Sequence, residues 1–103
     1  MDSHALATQI IAQYGTTDVK HLAKQAGVKV VLQRWHPATY GEFDRKTKTI
    51  FINLNSPIPT QEILAHELGH YFVDLEAPNL DKDTHEKAAK AFAAVFISQV
   101  SDF

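Results

Sequence analysis

The segment Ala65-His66-Glu67-Leu68-Gly69-His70-Tyr71 constrains this chain more than any other. It sets two histidines four residues apart, with a glutamate directly after the first. On a helix, residues four apart lie on one face, one turn above the other. The apolar residues around them keep the same period: Ile63 or Leu64, Leu68, then Tyr71 and Phe72 form a stripe. At this chain's His and Glu content, chance would produce the pattern about 0.02 times. The spacing predicts a helix from Thr60 to about Asp74. Thr60 is its expected N-cap, and Gln61 and Glu62 lie in the first turn, where the helix dipole favours acids.

Two imidazoles on one helix face can both reach a single ion at roughly 2.0–2.1 Å. Glu67, between them, is placed to take a proton from a nucleophilic water without itself being a ligand. The chain has no cysteine, so a zinc site must be built from His and carboxylate. Catalytic zinc takes three protein ligands and keeps one position open. The candidate ligands are His66, His70 and Glu86. Glu86 opens the last helix, one turn before Ala89, near the stripe that continues to Ala93 and Phe96. It also stands three residues after Asp83, a capping-box-like spacing. His85 and Asp83 are rival third ligands.

Two further features belong to the same helix. Gly69 costs about 1 kcal/mol relative to Ala inside a helix, which points to close approach by another backbone, with the neighbouring strand as the expected partner. Glu62, His66, His70 and Asp74 form an i, i+4 series. Glu62 or Asp74 could therefore orient an imidazole from behind.

The remaining elements follow from periodicity and breakers. Leu6, Ile10 and Tyr14, with Ile11 beside them, predict a helix over Ala5–Tyr14 ended by Gly15. Asp18 is read as the cap of a short helix carrying Val19, Leu22, Ala23 and Ala26, closed by Gly27. Val28–Trp35 reads as a strand broken by His36-Pro37. Tyr40–Phe43 and Thr49–Leu54 flank the polar turn 44–48 and predict a hairpin. After a loop at 76–80, the last helix buries Ala89, Phe92, Ala93 and Phe96. The expected fold is α+β: a single domain spanning 1–103, with N-terminal helices, a small antiparallel sheet of about three strands, the His-Glu helix and a C-terminal helix.

Composition removes several classes of function. The net charge is −2 and hydrophobic residues make up 45%, so no overall basic footprint invites nucleic acid. Asp18–Val28 resembles the first half of a helix-turn-helix, but the Val-rich run after Gly27 is not a recognition helix. No segment approaches the ~20 apolar residues of a membrane span. The absence of cysteine and of a signal-like start leads us to expect a cytoplasmic protein.

With these residues in view, the chain resembles the ImmA/IrrE-type metallopeptidases, small zincins of the gluzincin kind. His21-Leu22-Ala23-Lys24-Gln25-Ala26-Gly27-Val28 is similar to the family's short helix leading into a strand. Gly41-Glu42-Phe43 and Ile50-Phe51-Ile52-Asn53 resemble its hairpin. Ala65 to Phe72 is the close match to its active-site helix, and Glu86 to Ala94 to its later helix. Lys90 stands where the family usually has Asn, and Phe96-Ile97-Ser98-Gln99 replaces a more apolar end. The resemblance implies an endopeptidase acting on a protein substrate such as a transcriptional repressor or other regulator, with Zn²⁺ on His66, His70 and Glu86. Glu67 is then the general base. Tyr71, Tyr40 and His36 are candidate oxyanion donors, and strand 49–53 or the edge at 40–43 is expected to pair with an extended substrate. The alternative expectation is a non-catalytic zinc-binding interaction module of the same fold.

Overall fold

The computed structural model describes residues 1–36 and 38–100, without the side chains of Gln99 and Val100. Pro37, expected to break the first strand, lies outside the described residues. The order of elements is α1 (Ser3–Tyr14), α2 (Val19–Gln25), β1 (Lys29–Gln33), β2 (Gly41–Asp44), β3 (Thr49–Asn53), α3 (Thr60–Glu76) and α4 (Lys82–Val100). Among the described residues these make an α+β fold of four helices and one three-stranded sheet.

Local chemistry sets most boundaries. Asp2 Oδ1 accepts from the Ala5 amide at 3.0 Å, and Asp18 Oδ1 accepts from the Lys20 amide at 2.9 Å, capping α1 and α2. Gly15, at φ 68°, ends α1 in the left-handed region. Helix α3 differs from expectation: Pro59 holds the N-cap position without a side-chain bond, and Thr60 is already helical. At the start of α4, Asp81 Oδ2 accepts from the Thr84 amide at 3.2 Å, and the Asp81 carbonyl accepts from the His85 amide. Asp81, rather than the Asp83–Glu86 pair, therefore satisfies the first turn, and Glu86 is left to face elsewhere.

The sheet corrects the antiparallel expectation. Its order is β1-β3-β2, with β3 antiparallel to β2 but parallel to β1. The reason is geometric. The central place goes to the strand apolar enough for it, and β3 is buried at Thr49, Ile50, Ile52 and Asn53. The chain crosses the end of β3 at Trp35, His36 and Thr39, and β1 and β2 run in opposite directions on either side of that strand. Asn53, 1% exposed, fastens that crossing. Its amide nitrogen donates to the carbonyls of Trp35, His36 and Thr39, and its Oδ1 accepts from the amides of Trp35 and Asn55.

Helix α3 lies on β2 and β3, and α4 packs along α3 and against α1. An aromatic column joins these helices. Tyr14 meets Phe72 edge-on, Phe72 stacks on Phe92 at 5.6 Å, and Phe92 leans on Phe96 at 5.2 Å. Ala89, Phe92, Ala93 and Phe96 are all buried, as the stripe on α4 requires.

At Gly69, α3 and α4 approach each other closely. A Cβ built there would lie 2.6 Å from the Ala89 carbonyl oxygen and 3.1 Å from its Cα. The close neighbour is thus the backbone of α4, not a strand. Gly69→Ala is expected to push the two helices apart and to cost about 1–3 kcal/mol by overpacking, more than the ~1 kcal/mol gained in helix propensity. Chemical denaturation of the metal-free protein measures it; unchanged stability would show that the helices separate freely.

Candidate metal centre

The face of α4 that buries Ala89, Ala93 and Phe96 also carries Glu86, three residues before Ala89 and seven before Ala93. The close approach at Gly69 therefore places Glu86 against the histidine face of α3. Its Oε1 lies 2.8 Å from His66 Nε2 and its Oε2 lies 3.0 Å from His70 Nε2. The two imidazoles stack with centroids 4.9 Å apart. One atom from each of His66, His70 and Glu86 falls within a single group no wider than 4.8 Å.

Three observations suit this group to a metal. Both histidines present Nε2 to the same point. His66 Nε2 is buried and makes no hydrogen bond, although the Glu86 oxygen is so near. A buried polar atom without a partner is uncommon and calls for an explanation, and a lone pair aimed at a cation supplies one. Two imidazoles and a carboxylate are also a donor set used for catalytic zinc. Burial, the main cause, and the neighbouring imidazoles of His66 and His85 hold the pKa of His70 below its usual range, against the pull of Glu86. The neutral imidazole, which is the ligating form, is thereby favoured.

Of the rival ligands, Asp83 lies in the first turn of α4, exposed and outside this group. His85 stands behind His70 rather than beside it. The two rings stack at 5.0 Å, 9° from parallel, and their Nδ1 atoms are 3.0 Å apart. Glu62 forms no hydrogen bond or ion pair with an imidazole among the described residues, and Asp74 reaches His85 rather than His70.

Glu67 is 9% exposed and points towards β2. Its pKa is raised to about 7, first by burial and then by the negative charges of Glu86 and Glu42. Gly41 makes room for it: a Cβ there would lie 2.6 Å from Ile63 Cγ2 and 3.3 Å from Glu67 Oε2. Sequence reasoning passed over Gly41, though a glycine inside a strand is a signal of close approach.

The raised pKa of Glu67 makes a stability prediction for metal-free protein. A carboxylate whose pKa is higher in the folded state binds its proton more tightly there, so stability falls as pH rises from about 4.5 to 7. Glu67→Gln removes that loss. It is expected to be no more stable than wild type at pH 4, but about 3 kcal/mol more stable at pH 7.5, given 1.36 kcal/mol per pKa unit. Denaturant titrations of both proteins at the two pH values measure this; parallel curves would show that Glu67 ionises without penalty.

Two clefts flank the group. One, of about 460 Å³, is lined by His66 and Glu86 with Tyr40, Ile58, Glu62 and Lys90. The other, of about 440 Å³, is lined by Glu67 and His70 with Phe43, Arg45, Asp74 and His85. Among the expected oxyanion donors, Tyr40 lines the first cleft. Tyr71 instead packs edge-on against Phe43 at 5.6 Å, under the ammonium of Lys48. His36 Nδ1 accepts from the Ala38 amide. Lys90 was not singled out as a donor, but it stands four residues after Glu86 and so shares its face.

The family model Peptidase_M78, described as the IrrE N-terminal-like domain, matches residues 23–99. The chain belongs to this family. The match takes in β1 to β3, α3 with His66, Glu67 and His70, and the part of α4 that carries Glu86. The fold is accordingly metallopeptidase-like. A comparison with curated proteins finds no match. No helix among the described residues is long and apolar enough to cross a membrane.

Proposed function

We propose that this member of the family is a zinc-dependent endopeptidase acting on a regulatory protein. The convergence of His66, His70 and Glu86 beside a buried carboxyl group, Glu67, is the observation that carries this reading. His66 and His70 would hold the zinc through Nε2, and Glu86 through its carboxylate. When bound, zinc supplies Lewis acidity, lowering the pKa of a water and polarising a carbonyl.

Glu67 does the proton work. Its elevated pKa suits a group that takes a proton from the attacking water and returns it to the leaving amine near neutral pH. The substrate is assigned to the cleft that Glu67 and His70 line. Tyr40, in the His66 cleft, is the donor we assign to the developing oxyanion, with Lys90 alongside. The substrate backbone is assigned to the free edge of β2, beside Gly41. Strand β3 was an expected alternative, but it is central and already paired on both sides, so β-augmentation falls to β2.

The test is a trap. Glu67→Gln protein loaded with zinc captures a partner, and wild-type protein is then added to the captured material. Cleavage of the partner supports the peptidase reading. Stable capture without cleavage would instead make the chain a zinc-binding interaction module.

A further inference from the structure

Behind the proposed ligands, a second line of polar groups runs from α4 back to α3. His70 Nδ1 lies 3.0 Å from His85 Nδ1. On the far side of the same ring, His85 Nε2 faces Asp74 Oδ1 at 3.9 Å. Both of those outer atoms are buried, and His85 Nε2 makes no hydrogen bond. Arg45, from the turn between β2 and β3, places its guanidinium 3.0 Å from the same Asp74 oxygen.

Proton positions along this line follow from one another. If His70 offers its Nε2 lone pair towards Glu86 and His66, its proton must sit on Nδ1. That proton is donated to His85 Nδ1, which must then be bare. His85 therefore carries its own proton on Nε2, aimed at the Asp74 carboxylate. The opposite assignment would turn an N–H of His70 into the ligand group and leave Asp74 facing a second lone pair.

We propose that His85, oriented by Asp74, is a positioning residue that fixes His70 in its Nδ1–H tautomer and so presets the metal-binding nitrogen. The proposal rests on the metal-site reading above, but it concerns a contact that reading does not need. A carboxylate commonly buttresses a metal-binding histidine directly; here a second imidazole is interposed. The sequence explains why. Asp74 is four residues after His70 on α3, but the stacked ring of His85 from α4 occupies the space at Nδ1.

Long-range proton–nitrogen NMR of the zinc-loaded protein reads the tautomers directly. Wild type should show His70 as Nδ1–H and His85 as Nε2–H; the reverse pattern overturns the proposal. His85→Leu should weaken zinc binding by about 10–100-fold, the usual effect of losing such a support. His85→Asn, whose side-chain oxygen can accept from His70 Nδ1–H, should restore much of the affinity. Equal zinc affinity in wild type and His85→Leu would overturn the proposal. If wild type itself binds no zinc, the metal-site reading fails and this proposal falls with it, whereas zinc binding unchanged by His85→Leu overturns this proposal alone.

Discussion

Glu67→Gln protein is expected to bind zinc as wild type does and to hydrolyse its substrate about 10²–10⁴-fold more slowly, the range a positioned general base contributes. Glutamine keeps the size of the side chain and its place beside Gly41, so the groove and the metal group stay as they are. What is lost is the carboxylate that accepts the proton. The same substitution is expected to make metal-free protein more stable at neutral pH, because a buried carboxylate flanked by Glu86 and Glu42 is replaced by a neutral amide. Lower activity with higher stability would mark Glu67 as a residue placed for chemistry at the expense of the fold. Hydrolysis at the wild-type rate would remove it from the mechanism.

His70→Ala is expected to lose zinc almost completely, by more than the 10–100-fold that follows removal of an outer support. It takes away one of three donors and also separates Glu86 from the line through His85 and Asp74. Glu86→Gln is expected to weaken binding strongly too, since the remaining two imidazoles lack a charged partner. Isothermal titration with zinc distinguishes the assignments. Unchanged affinity in Glu86→Gln would return the third position to His85 or Asp83.

What the sequence made legible was whatever depends on one helix at a time. The period of His66, His70, Leu68 and Phe72 specified both the helix and its polar face. The stripe Ala89, Ala93 and Phe96 placed Glu86 on the inner face of α4 before any contact was known. Contacts between elements were less legible. The parallel pairing of β1 with β3 depends on a crossing held by Asn53, four of whose five side-chain bonds join residues far apart in the chain. Gly69 announced a close approach but not its partner, because a missing Cβ says nothing about what fills the space. Asp81 and Asp83 are equally good caps by composition, and only the direction of the chain entering α4 selects Asp81. The contact of His85 with His70 required two helices to be in register, which no local pattern encodes.

The central claim is that His66, His70 and Glu86 form one metal site. Elemental analysis of purified wild type beside His70→Ala tests it most directly. The three-donor site predicts about one zinc per wild-type chain and almost none in the variant. Equal zinc in the two proteins, or none in either after incubation with zinc, would contradict it.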